Sequence, residues 1–417
     1  MERTLEQWLD YQLTTHPQAI AMGLERVREV AARMGLLTLP CPVITVAGTN
    51  GKGSTVAFIA AIAKAAGYRV GAFTSPHILR YNERIRIDGA EASDAELCEA
   101  FSAIEAARKD IPLTYFEFGT LAALFLFSKA ALDLVVLEVG LGGRLDAVNC
   151  LDADVAVITT VDLDHQALLG NDREAIGFEK AGIMRAGRPC IVGEKDPPSS
   201  VLHHAYINGV YCVRSFSDYL IDRYERHWVW REPGFELTLP YPQLLAPAQL
   251  QNAACAIAAL RATDLQIAEH AWAEGVQSAQ ISGRLQHWQT NPDVILDVAH
   301  NRQSVAQLAE WLAAKPKPTL AVFSALNDKD IVAMIDDLRP HIGHWYVAPL
   351  REPAERVTSY SALADIFGKN LPAQEFTLFT DIPAAYRQAC LDCTADGRVL
   401  VFGSFHTLES VMRATHA

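Results

Sequence analysis

The chain predicts an α/β fold in two domains. Three observations predict it: short apolar, β-branched runs alternate with helical stretches, a glycine-rich turn joins the first run to a helix, and the alternation restarts late in the chain. At 417 residues, against roughly 150 for a typical domain, two or three domains with a large buried core are expected. The first runs are Val43 to Ala47, Val70 to Phe73, Leu134 to Val139, Val155 to Val161 and Cys190 to Gly193. Each is apolar on both faces, as a parallel strand covered by helices must be. Ser54 to Ala66 is rich in helix formers and stops at Gly67, so a helix follows the first strand. Residues 205–250 alternate apolar with polar, as in His227-Trp-Val-Trp-Arg and Phe235-Glu-Leu-Thr-Leu, and end in Pro240, Pro242 and Pro247. That predicts a small antiparallel region at the sheet edge. The pattern then breaks at Asn291-Pro292 and resumes as Val294 to Asp297, Leu320 to Phe323, Trp345 to Ala348, Phe376 to Phe379 and Val399 to Phe402. Spacers such as Ser304 to Ala314 are long enough for crossover helices, which predicts a second, doubly wound sheet. The expected domains are residues 1–287 and 288–417.

Composition narrows the function. Hydrophobic residues at 50% and charged residues at 20% are ordinary globular usage. A formal charge of −13 repels nucleic acid and anionic lipid, so neither is expected as a partner, and a polyanionic ligand must meet a confined positive site. The opening MERTLEQWLD carries charges where a leader needs an apolar core, and no run reaches about 18 apolar residues; a cytoplasmic protein is expected. The eight scattered cysteines are expected as free thiols, and Cys390-Leu-Asp-Cys393 has no second ligand pair to make it a zinc site.

The strongest motif is Val43-Ile-Thr-Val-Ala-Gly-Thr-Asn-Gly-Lys-Gly-Ser-Thr55. Gly48, Gly51 and Gly53 let backbone N–H groups turn toward an anion, the next helix supplies its positive end, and Lys52 adds a point charge for terminal phosphates. The spacing is not the common Walker A, because Gly53 stands where a hydroxyl normally follows the lysine and passes that role to Ser54 or Thr55. Glu138 closes one strand, and Asp162, Asp164 and His165 close another. Ligands sit beyond the carboxyl ends of parallel strands, so these groups can converge with the loop, and their hard oxygens suit Mg²⁺. Leu141-Gly-Gly-Arg-Leu-Asp-Ala-Val-Asn149 is weak alone, and Glu179-Lys180 reads as a solvated helix end. Arg284 could clamp a phosphate or form a structural salt bridge, and Asp297 could take a ribose hydroxyl, across an interdomain cleft.

Together these motifs resemble the folylpolyglutamate synthases of the Mur ligase superfamily, the bacterial bifunctional dihydrofolate synthase/folylpolyglutamate synthases in particular. The resemblance spans nearly the whole chain: GTNGKGST at 48–55, Thr74-Ser-Pro-His-Ile78, Asn82-Glu-Arg-Ile85, Leu113-Thr-Tyr-Phe-Glu-Phe-Gly-Thr120, EVGLGGRLDAVN at 138–149, EKAGI at 179–183, DVAHN at 297–301 and Gly403-Ser-Phe-His-Thr407. It implies a P-loop domain with a mostly parallel sheet, a small edge sheet and a C-terminal Rossmann-like α/β domain. It also implies ATP contacts at Gly48, Thr49, Asn50, Gly51, Lys52, Gly53, Ser54, Asn252, Arg284, Asp297 and His300. Ser75, Glu138 and His165 become ligands of Mg²⁺, two ions being expected, and Lys180 becomes a carbamylated lysine supporting the second ion. Thr114, Tyr115, Phe116 and Glu117, with Leu145, Asp146 and Ala147, become the pterin wall. Three places depart from the family pattern: Ala21 for an aspartate, Gln166-Ala-Leu168 after His165, and Arg302 for a proline.

The implied reaction uses ATP to turn a carboxylate into an acyl phosphate, which the amine of L-glutamate attacks. The acceptors are dihydropteroate and the γ-carboxylate of folates such as tetrahydrofolates. Lys52, with the metal, would neutralise the phosphoryl group, and Glu138, His165 and Lys180 complete the catalytic set. A monomer is expected. The alternatives are a Mur-type cell-wall ligase, disfavoured because no uridine-nucleotide domain precedes residue 48, and a P-loop ATPase or binding module, disfavoured because it has no need of DVAHN and GSFHT.

Overall fold

The computed structural model describes residues 3–18, 20–351 and 356–416. Met1 and Glu2, the first residues of the opening weighed as a leader, lie outside the described residues. The chain divides into two compact units, Met1–Gln243 with Gln249–Gln280, and Leu244–Ala248 with Ile281–Ala417.

The first unit is built on an eight-stranded sheet. Its strands are β1 (Val43–Ala47), β2 (Val70–Phe73), β3 (Ile85–Ile87), β4 (Ala90–Glu91), β5 (Leu134–Glu138), β6 (Val155–Ile158), β7 (Pro189–Val192) and β8 (Tyr211–Arg214), in the spatial order β4-β3-β2-β5-β1-β6-β7-β8. From β2 to β8 every pairing is parallel. The five apolar runs are its central strands, and β1, β5 and β6 are buried along their whole length, as two covered faces require. The antiparallel β3–β4 hairpin had a local signal in Asp88-Gly89, both at positive φ (51° and 81°), the pair a two-residue turn of this hand selects. The core beside the sheet is aromatic, with Phe73, Phe101, Phe118 and Phe127 buried. Helix Tyr115–Lys129 lies inside it, its Thr114 cap and Glu117 forming a capping box.

The 205–250 region divides in a way that alternation alone could not show. Tyr211–Arg214 joins the large sheet in parallel as β8. Only β9 (Leu220–Arg223), β10 (Trp228–Glu232) and β11 (Phe235–Leu239) form the separate antiparallel sheet. Trp228 and Trp230 are fully buried, and their indole N–H groups donate to the carbonyls of Pro240 (2.9 Å) and Ala254 (3.2 Å).

The second unit carries β12 (Gln286–Thr290), β13 (Asp293–Leu296), β14 (Thr319–Phe323), β15 (His344–Val347), β16 (Phe376–Leu378) and β17 (Arg398–Phe402), ordered β12-β13-β17-β14-β15-β16. All five expected runs are strands and pair in parallel. Asn291-Pro292 is the turn of the antiparallel β12–β13 hairpin, so the chain has already entered this sheet before the break in the pattern. The core gathers Phe323, Trp345, Phe367 and Phe402.

Candidate functional site

The glycine-rich loop leaves β1 and enters helix Lys52–Ala65 with Gly51 as its N-cap, at φ 86° and ψ −10°. The left-handed conformation there selects glycine. The following residues present first-turn N–H groups at the end where a helix attracts anions. The loop is locked to the exit of β6. Thr49 N–H donates to the Thr160 carbonyl (2.8 Å), Asn50 N–H to the Thr160 hydroxyl (3.1 Å), and the Thr159 hydroxyl to the Asn50 carbonyl (2.6 Å). The Thr49 hydroxyl both donates to the Asp162 carbonyl (3.0 Å) and accepts from Asp162 N–H (2.9 Å). Lys52 Nζ donates to the Gly48 and Thr49 carbonyls, at 2.9 and 3.2 Å. Asn252 lies against Gly51, where a Cβ would overlap its Oδ1, and is held by its own bond to Gln249. Sequence reasoning passed over Thr159 and Thr160, although two hydroxyls directly after an apolar strand are a visible signal.

The strand-end acids assemble on both sides of this loop, because β1 lies between β5 and β6. Glu138 pairs in register with Val46, and its Oε2 accepts from Ser75 N–H at 3.0 Å. His165 stands on the β6 side at φ 50°, its Nε2 4.0 Å from Asp164 Oδ1. Lys180 is buried rather than solvated, which corrects the helix-end reading. Burial, and then the positive charge of Lys52, push its amine down to about 7, against the pull of Asp164, Asp146 and Glu194. No cluster of three or more His, Cys, Asp or Glu side chains forms a metal cage among the described residues. The donor types on the two sides of the loop, a carboxylate with a serine beside it and an imidazole, nonetheless suit a divalent ion that keeps waters and takes oxygens from a phosphate.

Arg173 and Glu194 also brace this side. Arg173 Nε donates to the Val161 carbonyl (2.8 Å), Glu194 Oε1 accepts Val161 N–H (3.1 Å), and the two side chains pair at 3.0 Å. The sequence carried no sign of this pair, since its parts are 21 residues apart.

The residues expected around a pterin come together in the same unit. Thr114 and Glu117 cap their helix, and Glu117 also pairs with Arg26 at 3.0 Å. Arg26 donates further to the Ala21 carbonyl (2.9 Å), and Gly23 N–H reaches the Leu145 carbonyl (3.4 Å), so residues 21–23 join this wall. Phe116 rests on Gly140, where a Cβ would come within 2.6 Å of its ring, and packs on Phe73. Asp146 accepts Leu141 N–H (2.8 Å) and Val148 N–H (3.1 Å), capping the turn that holds Ala147. Burial outweighs those bonds and pushes its carboxyl up to about 7.

In the second unit, Asp297 Oδ2 accepts Leu285 N–H and Oδ1 accepts Ala299 N–H, both at 2.8 Å. It thereby sets the backbone beside Arg284 and beside His300, and burial raises its carboxyl against the charges of those two residues. His300 Nδ1 lies 2.8 Å from the Val298 carbonyl, which can only accept, so that nitrogen carries the proton. Arg302 takes the first position of helix Arg302–Ala314 behind the Asn301 cap. A proline is favoured there but not needed. Gly403 N–H donates to the Ala299 carbonyl (3.0 Å), bringing the GSFHT stretch beside DVAHN.

A glycine-rich phosphate loop flanked by strand-end acids is a nucleotide-binding arrangement, and the family comparisons make the class of protein that carries it a ligase. The models of the Mur ligase middle domain and of the Mur ligase glutamate ligase domain match residues 46–218 and 283–405. The dihydrofolate synthase/folylpolyglutamate synthase of Escherichia coli K12 is 44% identical, with 99% of this chain and 96% of that protein covered. The structure of E. coli FolC in complex with DHPP and ADP superposes with a TM-score of 0.94 at 44% identity, covering 99% of this chain and 98% of that one. A bifunctional folylpolyglutamate synthase/dihydrofolate synthase with Mn, AMPPNP and L-glutamate bound gives 0.92 at 45% identity, covering 100% and 98%. The chain belongs to the dihydrofolate synthase/folylpolyglutamate synthase family of ATP-dependent Mur ligases.

Proposed function

We propose that this ligase joins L-glutamate to dihydropteroate, forming dihydrofolate, and to the γ-carboxylate of folates, tetrahydrofolates included. The observation that carries the proposal is the interlock of the Gly48–Ser54 loop with the β6 exit, on the edge where β5 presents Glu138. Residues 48–54 and Asn252 take ATP, with Arg284, Asp297 and His300 as further contacts. Lys52, already gathering two loop carbonyls, has the charge and position to follow the terminal phosphate. Ser75, Glu138 and His165 would hold Mg²⁺, two ions in all, which when bound supplies positive charge to the phosphoryl oxygens. Lys180 has the chemistry for carbamylation. A buried amine near pH 7 is largely neutral at the pH of a cell, and only a neutral amine captures CO₂. The carbamate so formed would serve as a carboxylate-like support for the second ion.

Thr114 to Glu117 and Leu145 to Ala147 make the pterin wall. Phe116 offers its uncovered ring surface to a flat heterocycle, and Asp146 offers its remaining lone pairs to N–H donors. The acceptor carboxylate takes the terminal phosphoryl group and ADP leaves. The glutamate amine then attacks the acyl carbon, phosphate departs, and the amine gives up a proton. Fixed alignment of the reactants and charge stabilisation provide the acceleration, and no protein nucleophile is needed. We assign the ATP and pterin sites chiefly to residues 1–287, the remaining ATP contacts to 288–417, and a monomeric cytoplasmic protein to the whole. No helix among the described residues is long and apolar enough to cross a membrane. The experiment is incubation of the purified chain with ATP, Mg²⁺, glutamate and either acceptor, with mass analysis of products. A glutamate-extended product with each acceptor is expected, and phosphate release that needs no acceptor would overturn the proposal.

A further inference from the structure

Arg84 is a buried cation with no acid at ion-pair distance among the described residues. Only 8% of the residue is exposed. Its guanidinium lies over the Tyr81 and Tyr115 rings, 5.3 and 5.4 Å from their centroids, and its Nε donates to His77 Nδ1 at 2.8 Å. A guanidinium can only donate, so His77 Nδ1 must accept and is unprotonated, which makes this partner neutral. Among the described residues no carboxylate lies within ion-pair distance of Arg84. Other shielded arginines of this unit are matched: Arg26 by Glu117, Arg108 by Glu105 and Arg185 by Asp152. Arg398, more buried still and with no acid at ion-pair distance among the described residues, sends donors to the Thr319 hydroxyl and the Lys315 carbonyl. Arg84 sends its Nη donors to neither.

A guanidinium withdrawn from water without an anion is costly, and the cost is recovered when a ligand brings one. The position of Arg84 indicates which ligand. His77 is two residues from Ser75, whose N–H holds Glu138. Tyr115 is the neighbour of Phe116 in the pterin wall and opens the same helix. Arg84 thus touches two residues, His77 and Tyr115, that adjoin the corner assigned to the phosphoryl group and the wall assigned to the heterocycle. Its two Nη groups form a fork that matches a carboxylate.

We infer that Arg84 is a receptor for a carboxylate of the pteroate-class acceptor, a specificity-determining residue of the ligation. The inference rests on the proposed function. Two carboxylates have this chemistry: the one that dihydropteroate and folates present for activation, and the α-carboxylate that folates carry and dihydropteroate lacks. Tyr81 and Tyr115 hold the guanidinium by their ring faces, and His77 fixes its rotation.

The test uses the intact chain in metal-free buffer, so that no ion contributes to carboxylate binding. Fluorescence quenching reads the affinity for dihydropteroate, for tetrahydrofolate, and for the same molecules with each carboxylate converted to a carboxamide. The wild type should favour acid over amide by roughly tenfold to a hundredfold, the range for charge-assisted hydrogen bonds. Arg84→Gln should lose that preference, and Arg84→Lys, which keeps the charge without the fork, should retain part of it. A preference seen with both acceptors identifies the reacting carboxylate, and one confined to tetrahydrofolate identifies the α-carboxylate. An acid-over-amide preference in Arg84→Gln equal to the wild type overturns the inference. Should that variant not fold, Arg84→Lys decides alone, a lowered preference supporting the receptor and an unchanged one overturning it. A wild-type chain that binds neither acceptor and forms no amide would sink the underlying reading instead, a result distinct from either.

Discussion

Gly51→Ala probes the phosphate loop with a single methyl group. Gly51 sits at φ 86°, and holding an L-residue in the left-handed region costs about 1–2 kcal/mol. The new Cβ would also overlap Asn252 Oδ1 and lie 3.2 Å from its Cγ. Asn252 cannot simply turn aside, being only 5% exposed and bonded through Nδ2 to Gln249 Oε1 at 3.1 Å. Breaking that bond costs about 1 kcal/mol more. The loop should therefore relax away from its anion-binding shape by an amount worth about 2–3 kcal/mol, or roughly a 30- to 140-fold loss of ATP affinity. Isothermal titration of ATP into wild type and variant measures this, and thermal melting confirms that the variant folds. A second arm isolates the cause. In an Asn252→Ala background the obstacle is gone and only the φ cost remains, so the double-mutant cycle should show a coupling of about 1 kcal/mol. Gly51→Ala binding ATP within twofold of wild type, or a cycle with no coupling, would refute the reasoning.

Lys52→Ala should abolish the phosphate release that depends on both glutamate and a pteroate, as followed by coupled ADP detection; robust turnover would remove the lysine from the mechanism. Lys180, pushed down to about 7, is about one-tenth neutral at pH 6 and nine-tenths at pH 8. Turnover at saturating substrate and bicarbonate should accordingly rise roughly tenfold across that window and level off above it, whereas a lysine near its usual 10.5 would drive a rise that continues past pH 9. Chelation of divalent metal should stop phosphate release, and added Mg²⁺ should restore it. Glu117→Ala removes the reciprocal half of a capping box and the carboxylate partner of Arg26, which is still 24% exposed, so urea denaturation should show a loss of about 2–3 kcal/mol; a loss under about 0.5 kcal/mol would mean the pair is idle.

The parts of the site legible in the sequence are those whose chemistry is local. The 48–54 loop declares itself because a left-handed turn between a strand and a helix leaves glycine as the ready choice, and Glu138 and His165 because they end apolar runs. Thr114 and Glu117 carried a local signal of another kind, the Thr-x-x-Glu of a capping box, which the structure shows them forming. Asp146 and Asp297 were weighed for ligands, and their oxygens first satisfy backbone N–H groups. Lys180 read as a solvated helix end until its burial was seen. Asn291-Pro292 reads as a turn, and it is one, but only the strand pairing shows that it joins two strands of the same sheet.

By itself, then, the sequence determined the central strands of both sheets, where the backbone must bend around an anion, and which ionisable groups stand at strand ends, because periodicity and glycine placement act over a few residues. Tertiary structure alone decided the spatial order of the strands, the clamp on Val161, the union of Arg26 with a carboxylate 91 positions away, and the placing of Arg84 beyond ion-pair distance of every acid among the described residues. Those outcomes depend on which distant groups share a desolvated space, and there a charge is worth several times what it is in water.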